Sequence, residues 1–256
     1  SAKQITETTE AILRAARREA GVHIVLATAR PPRSVMPFYS QLELDTPMVN
    51  YNGALVYDPI SRRVLMHRPV SAKISRGIVR LAREKYPGVL VSAEVLDRWY
   101  TDRVDDRYAT ATARHFRPDV LAPIEQWLTT PVTKLLLLGE PDRLLELARD
   151  IHAAYPHQVQ IVRTEGELLQ IMHATVSKAQ ALRAVAGEMG VTREQVMAIG
   201  DNANDVEMLR WAGIGVAMAN AAPEALAAAD VVTDHHDSDG AARAIHRLIL
   251  DGLETR

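Results

Sequence analysis

Cysteine is absent from the 256 residues. This single absence excludes disulfides, thiolate metal sites and a cysteine nucleophile, and with them a secreted disulfide scaffold. It suits a reducing compartment, so a cytoplasmic protein is expected. Excess charge of either sign is also missing. Lys+Arg number 30 and Asp+Glu 32, a formal −2, which leaves no basic footprint for nucleic acid. No run approaches the ~20 apolar residues of a membrane span, so no membrane partner is expected. The first ten residues are polar, so no signal peptide is expected. Lysine is scarce, standing only at 3, 73, 85, 134 and 178, so that 25 of the 30 basic residues are arginine. What remains is ordinary globular composition, 47% hydrophobic and 24% charged, in a length that suits one large or two modest domains.

The chain reads as three regions. The first, 1–68, opens with a helix capped by Thr6 and stopped at Gly21. The run VHIVLA (22–27) follows, bounded by Gly21 and Pro31-Pro32, and predicts a buried parallel strand with His23 in the core. A second helical stretch leads to a short strand at 47–50, and Asn52-Gly53 predicts a hairpin turn into ALVYD. The middle, 69–172, has its own helices (72–86, 141–154) and strands (134–138, 158–163, 167–172), with an aromatic and charged stretch at 91–108. The last region, 173–256, alternates helix and strand: 178–189, 196–200, 204–211, 214–218, 223–228, 231–233, 239–251. Such alternation predicts a parallel sheet. The expected fold is therefore α/β: a doubly wound, Rossmann-like core made of 1–68 and 173–256, with 69–172 inserted as an α/β domain.

In open parallel sheets ligands bind beyond the carboxyl ends of the strands, so the residues after each apolar run carry the chemistry. After VHIVLA stand Thr28 and Ala29, a hydroxyl followed by backbone N–H groups that open toward a helix. After VMAIG stand Asp201, Asn202, Ala203, Asn204 and Asp205. Two carboxylates and two amides in five residues are hard oxygen ligands suited to Mg²⁺, and more than a helix cap needs. Lys178 precedes the helix AQALRAVAGEMG, and its compact ammonium can approach two oxygens at once. Other features are set aside. Gly213-x-Gly215 lacks the third glycine of a dinucleotide fingerprint, since Met218 stands there. The Asp234–Asp239 cluster reads as a polar loop before a helix rather than a transition-metal site.

Thr28, Lys178 and GDNANDVEML (200–209), in this order, resemble the haloacid dehalogenase superfamily, and more narrowly its Cof-type, sugar-phosphatase-like branch. ATARP (27–31), YNGALVYD (51–58), ATVSKAQAL (174–182), IGVAMANA (214–221) and VTDHHDSDGAARAI (232–245) belong to the same match. The resemblance implies a Mg²⁺-dependent phosphatase acting on small phosphorylated metabolites such as sugar phosphates. It implies that Thr28, Ala29, Lys178 and Asn204 hold the phosphoryl group, that Asp201 and Asp205 serve the metal, and that 69–172 is the cap that selects the leaving group. Hydrolysis in this family passes through an aspartyl-phosphate, with a second aspartate two residues on as acid, then base.

Those two aspartates are not found where the resemblance requires them, at the end of a strand just before the helix that starts at Thr6. Asp237-Ser238-Asp239-Gly240 has similar letters, but three residues separate it from the apolar VVT. The expectation is that the natural chain carries the Asp-x-Asp strand upstream of Ser1, and that these 256 residues alone are inactive. The alternative is a catalytically inactive phospholigand-binding or regulatory module.

Overall fold

A computed structural model describes residues 4–108 and 112–251. They form two units. One holds the residues up to Ala29, Val35–Leu65 and everything from Ser177; the other holds Arg30–Ser34 and Met66–Val176.

In the first unit, helix α1 (Glu7–Ala20) has the expected signals. The Thr6 hydroxyl accepts from the Thr9 N–H, Glu7 and Glu10 stand in the first turn, Arg17 and Arg18 in the last, and Gly21 ends the helix at φ 64°. Asp239 reaches this cap from the far end of the chain. Its carboxylate accepts from the hydroxyls of Thr6 at 2.5 Å and Thr9 at 2.9 Å, and these bonds hold it below the ordinary carboxylate range.

The run 22–27 departs from expectation. It makes one parallel bridge, Ala27 to Val49, and none of its residues is buried; His23 is exposed rather than a core histidine. The backbone explains this. Leu26 and Thr28 turn their groups toward Val49, which donates to the Leu26 carbonyl at 2.8 Å and accepts from the Thr28 N–H at 2.9 Å. The backbone groups of Val25 and Ala27 face the other way and find no partner among the described residues. A strand paired along one edge only, with nothing on the other, cannot bury both its faces.

Helix α2 (Pro32–Gln41) is followed by β1 (Met48–Asn50), β2 (Leu55–Asp58) and β3 (Arg63–His67), ordered β1-β2-β3, with β1 and β2 antiparallel. The β1–β2 turn is a single 3₁₀ turn at Tyr51–Gly53.

The second unit is built on six strands: β4 (Leu90–Val95), β5 (Arg98–Thr101), β6 (Val120–Leu121), β7 (Lys134–Leu138), β8 (Val159–Glu165) and β9 (Leu168–His173), ordered β6-β5-β4-β7-β9-β8. Helices α3 (Ala72–Lys85) and α5 (Pro141–Ala154) cover one face, with α4 (Ile124–Trp127) between them in the chain. Ile78, Val79 and Ala82 of α3 and Leu144, Leu147 and Ile151 of α5 share a core with Val91, Ala93, Leu135, Leu137, Leu169 and Ile171 of the sheet. The alternate residues face the other way. There Leu90, Leu136, Leu138 and Leu168 cluster with Tyr108, and beside them Glu94, Lys134 and Gln170 are also buried.

Lys134 donates to the Gln170 Oε1 at 3.1 Å, and Glu94 pairs with Arg33 at 2.6 Å. Burial lowers the Lys134 amine to about 8, against the pull of the Glu94 charge. The folded protein thus releases this proton before the unfolded chain does, and unfolding takes up a proton between pH 8 and ~10.5. Stability rises with pH across that window, by about 3 kcal/mol at most. Urea unfolding from pH 7 to 10 should show this rise in the wild type and its loss in Lys134→Met. Parallel pH profiles of the two proteins would refute the assignment.

Back in the first unit, α6 (Lys178–Glu188), β10 (Met197–Gly200), α7 (Val206–Trp211), β11 (Ile214–Ala217), α8 (Pro223–Leu226), β12 (Val231–Val232) and α9 (Gly240–Ile245) follow in alternation. The strands are parallel in the order β10-β11-β12, with Ala198 opposite Gly215 and Val216 opposite Val231. Among the described residues, the outer edge of β10 has no strand partner.

Candidate active site

β10 ends at Gly200, and the chain then turns through Asp201 and Asn202 into a 3₁₀ turn, Ala203–Asp205, that leads into α7. The turn is held from within by Asp205. One oxygen, Oδ2, accepts from the backbone N–H groups of Asp201 and Asn202, both at 3.1 Å. The other, Oδ1, accepts from the Lys178 ammonium at 2.6 Å. Asp205 and Lys178 are 3% and 7% exposed, so this is a buried, hydrogen-bonded ion pair. Gly200 makes room for it: a Cβ at that position would lie 2.5 Å from the Asp205 Cβ.

Lys178 is placed by the start of α6. Ser177 caps the helix, its hydroxyl accepting from the Gln180 N–H at 3.2 Å, and Lys178 is the first helical residue. Asp201 is half-exposed; its Oδ1 accepts from the Asn202 amide at 2.8 Å. A hard carboxylate oxygen at a strand end, not sealed by a buried cation, suits a divalent ion that keeps several waters.

Thr28 and Asn204 join the same constellation through a residue that the motif reading treats only as a turn. Asn52 donates its backbone N–H to the Thr28 carbonyl at 2.9 Å, and its Oδ1 accepts from the Asn204 Nδ2 at 2.9 Å. Of the residues singled out from sequence, Lys178, Asp205 and Asp201 are thus linked directly, while Thr28 and Asn204 are linked through Asn52. Ala29 follows Thr28 in a bend and is half-buried. The clue to Asn52 in the sequence is Asn-Gly directly after a strand, a pair that tolerates positive φ.

The remaining candidates lie elsewhere in this unit. His235, His236 and Asp237 are exposed and offer ligand atoms within 4.8 Å of one another. Asp237 sits on an exposed 3₁₀ turn and Asp239 is engaged by Thr6 and Thr9, so neither stands at a strand end as a nucleophile must. Among the described residues, no helix is long and apolar enough to cross a membrane.

Comparison with known proteins identifies the family. The family model of the haloacid dehalogenase-like hydrolases matches residues 1–245. YxeH of Bacillus subtilis, named as a candidate phosphatase, is 33% identical over 96% of this chain and 93% of its own length. YitU of the same organism, a 5-amino-6-(5-phospho-D-ribitylamino)uracil phosphatase, is 29% identical over 88% of this chain and 84% of its own. A haloacid dehalogenase-like hydrolase of Bacteroides thetaiotaomicron superposes with a TM-score of 0.88 at 27% identity, covering 97% of this chain and 94% of that one. With its lysine–aspartate pair and acidic turn at the end of a parallel strand, the chain belongs to the haloacid dehalogenase-like hydrolases, in their Cof-type branch, and is an enzyme of that family.

Proposed function

We propose that the protein is a Mg²⁺-dependent phosphatase that hydrolyses phosphomonoesters of small metabolites, sugar phosphates among them. The observation that carries this reading is the Lys178–Asp205 pair clamped to the Asp201 turn. The names of relatives support the substrate class: YitU acts on a phosphoribityl compound, and YbhA of Escherichia coli, 26% identical over 94% of this chain, on pyridoxal phosphate.

In this reading the Thr28 hydroxyl and the N–H of Ala29 donate to the phosphoryl oxygens, and the Asn204 amide supports them. Lys178 places a positive charge beside the same oxygens, while Asp205, accepting from it at 2.6 Å, keeps its ammonium in place. Asp201 holds Mg²⁺, with Asp205 stiffening the turn that presents it; the ion, when bound, neutralises charge on the phosphoryl group. The phosphoryl acceptor is an aspartate on a further strand, which we place upstream of the 256 residues. Two open edges support this: the outer edge of β10, and the side of 22–27 on which Val25 and Ala27 bond to nothing described. A strand ending in Asp-x-Asp and paired along both would bury the half-exposed apolar run 24–27.

The test is phosphate release by the full-length gene product from a panel of phosphomonoesters. Turnover with Mg²⁺, lost to EDTA and lowered at least a hundredfold by Asp201→Asn, is the expected result. Binding of phosphate without turnover of any ester would favour the phospholigand-binding module, and neither binding nor turnover would overturn both.

A further inference from the structure

The turn between β1 and β2 is strained. Tyr51, Asn52 and Gly53 all have positive φ, at 50°, 57° and 100°, and all three are buried. Left-handed backbone suits glycine and is tolerated by asparagine, but tyrosine adopts it rarely, so a run of three persists only where the surroundings enforce it. The surroundings are the proposed phosphate site. The Asn52 N–H holds the carbonyl of Thr28, the Asn52 side chain holds the amide of Asn204, and Gly53 packs on the carbonyl of Ser177, next to Lys178. Hairpin turns favour positive φ at an Asn-Gly pair, so the hairpin accounts for Asn52 and Gly53, and the unusual residue is Tyr51.

We propose that Asn52 is a positioning residue for phosphoryl recognition, an inference that rests on the function proposed above. Asn204 is exposed, and a free asparagine side chain there would sample several rotamers. The bond to the buried Asn52 Oδ1 fixes which way its amide faces. Because the same residue grips the Thr28 carbonyl, the hydroxyl-bearing loop and the amide-bearing turn are set to one spacing.

Asn52→Gly isolates the side chain, because glycine adopts the observed backbone without strain. The measurements are kcat and KM for the best ester, orthophosphate affinity by calorimetry, and Tm, for Asn52→Gly, Asn204→Ala and the double variant in the full-length protein. We expect each single variant to lose about tenfold in kcat/KM and in orthophosphate affinity, the size of one well-made hydrogen bond. The double variant should lose no more than the worse single one, since both remove the same link. Tm of Asn52→Gly should stay near that of the wild type. Independent losses that multiply to about a hundredfold, or an Asn52→Gly protein within twofold of wild type in both measures, would overturn the inference and leave the proposed function standing. A wild type that turns over no ester and binds no orthophosphate would overturn the proposed function, and the inference with it. If the wild type binds without turnover, the affinity cycle alone decides.

Discussion

Lys178→Met should abolish measurable phosphate release, a fall of at least a thousandfold, and should also destabilise the fold by about 3 kcal/mol. The two effects have one origin. Asp205 is buried with its charge, and Lys178 at 2.6 Å is the cation that compensates it. Methionine fills a similar volume but leaves the carboxylate with only the two backbone N–H groups of Asp201 and Asn202. Breaking one side of a buried pair costs about 3–5 kcal/mol, because the remaining charge stays desolvated. The catalytic loss is larger, since in the proposed function the ammonium stands as a positive charge beside the transferring group. Lys178→Arg should not restore it: a guanidinium is planar and bulkier, and cannot set one donor on Oδ1 from the first turn of α6. The double variant Lys178→Met with Asp205→Asn separates the two roles. It should regain stability in urea, because no buried charge is left alone, and should remain inactive. A Lys178→Met enzyme with turnover near wild type would remove the lysine from the mechanism altogether.

What the sequence revealed, and what it hid, divides along physical lines. α1 was legible because its signals are local: the Thr6 cap, early acids, late arginines and a Gly21 stop all lie within sixteen residues. The alternation from α6 to α9 was legible because buried parallel strands are short, uninterrupted apolar runs. The hairpin β4–β5 was not, because its turn at Leu96-Asp97 has no glycine; Leu96 itself takes the left-handed conformation at φ 55°. Run 22–27 has the letters of a core strand, yet burial depends on neighbours along both edges, which no local pattern can supply. At the site, Lys178, Asp201 and Asp205 declare themselves by residue type. Asn52 does not, since its part depends on a backbone conformation and on a partner 152 positions away.

The second large effect is expected at Gly53, although it bears no functional group. Gly53→Ala should cost about 3 kcal/mol or more in unfolding free energy and remove most of the activity that survives folding. Its φ of 100° lies where side chains with a Cβ are strained, and the added carbon would fall on the Ser177 carbonyl and within 3.2 Å of the Ala181 Cβ. The first of these neighbours is backbone, so relief cannot come from a side-chain rotation. Either the β1–β2 turn moves, carrying Asn52 away from Thr28 and Asn204, or α6 moves at its capped end, carrying Lys178 from Asp205. Both displacements open the site, and a shift of about 1 Å in such groups can cost a hundredfold in rate. Gly21→Ala is the matched comparison. Its φ of 64° is also left-handed, but a Cβ there meets nothing within 4 Å, so it should lose only the backbone cost of about 1 kcal/mol and keep full turnover. Equal losses of turnover in the two alanine variants would mean that strain in general, rather than the contact between Gly53 and the start of α6, governs the site.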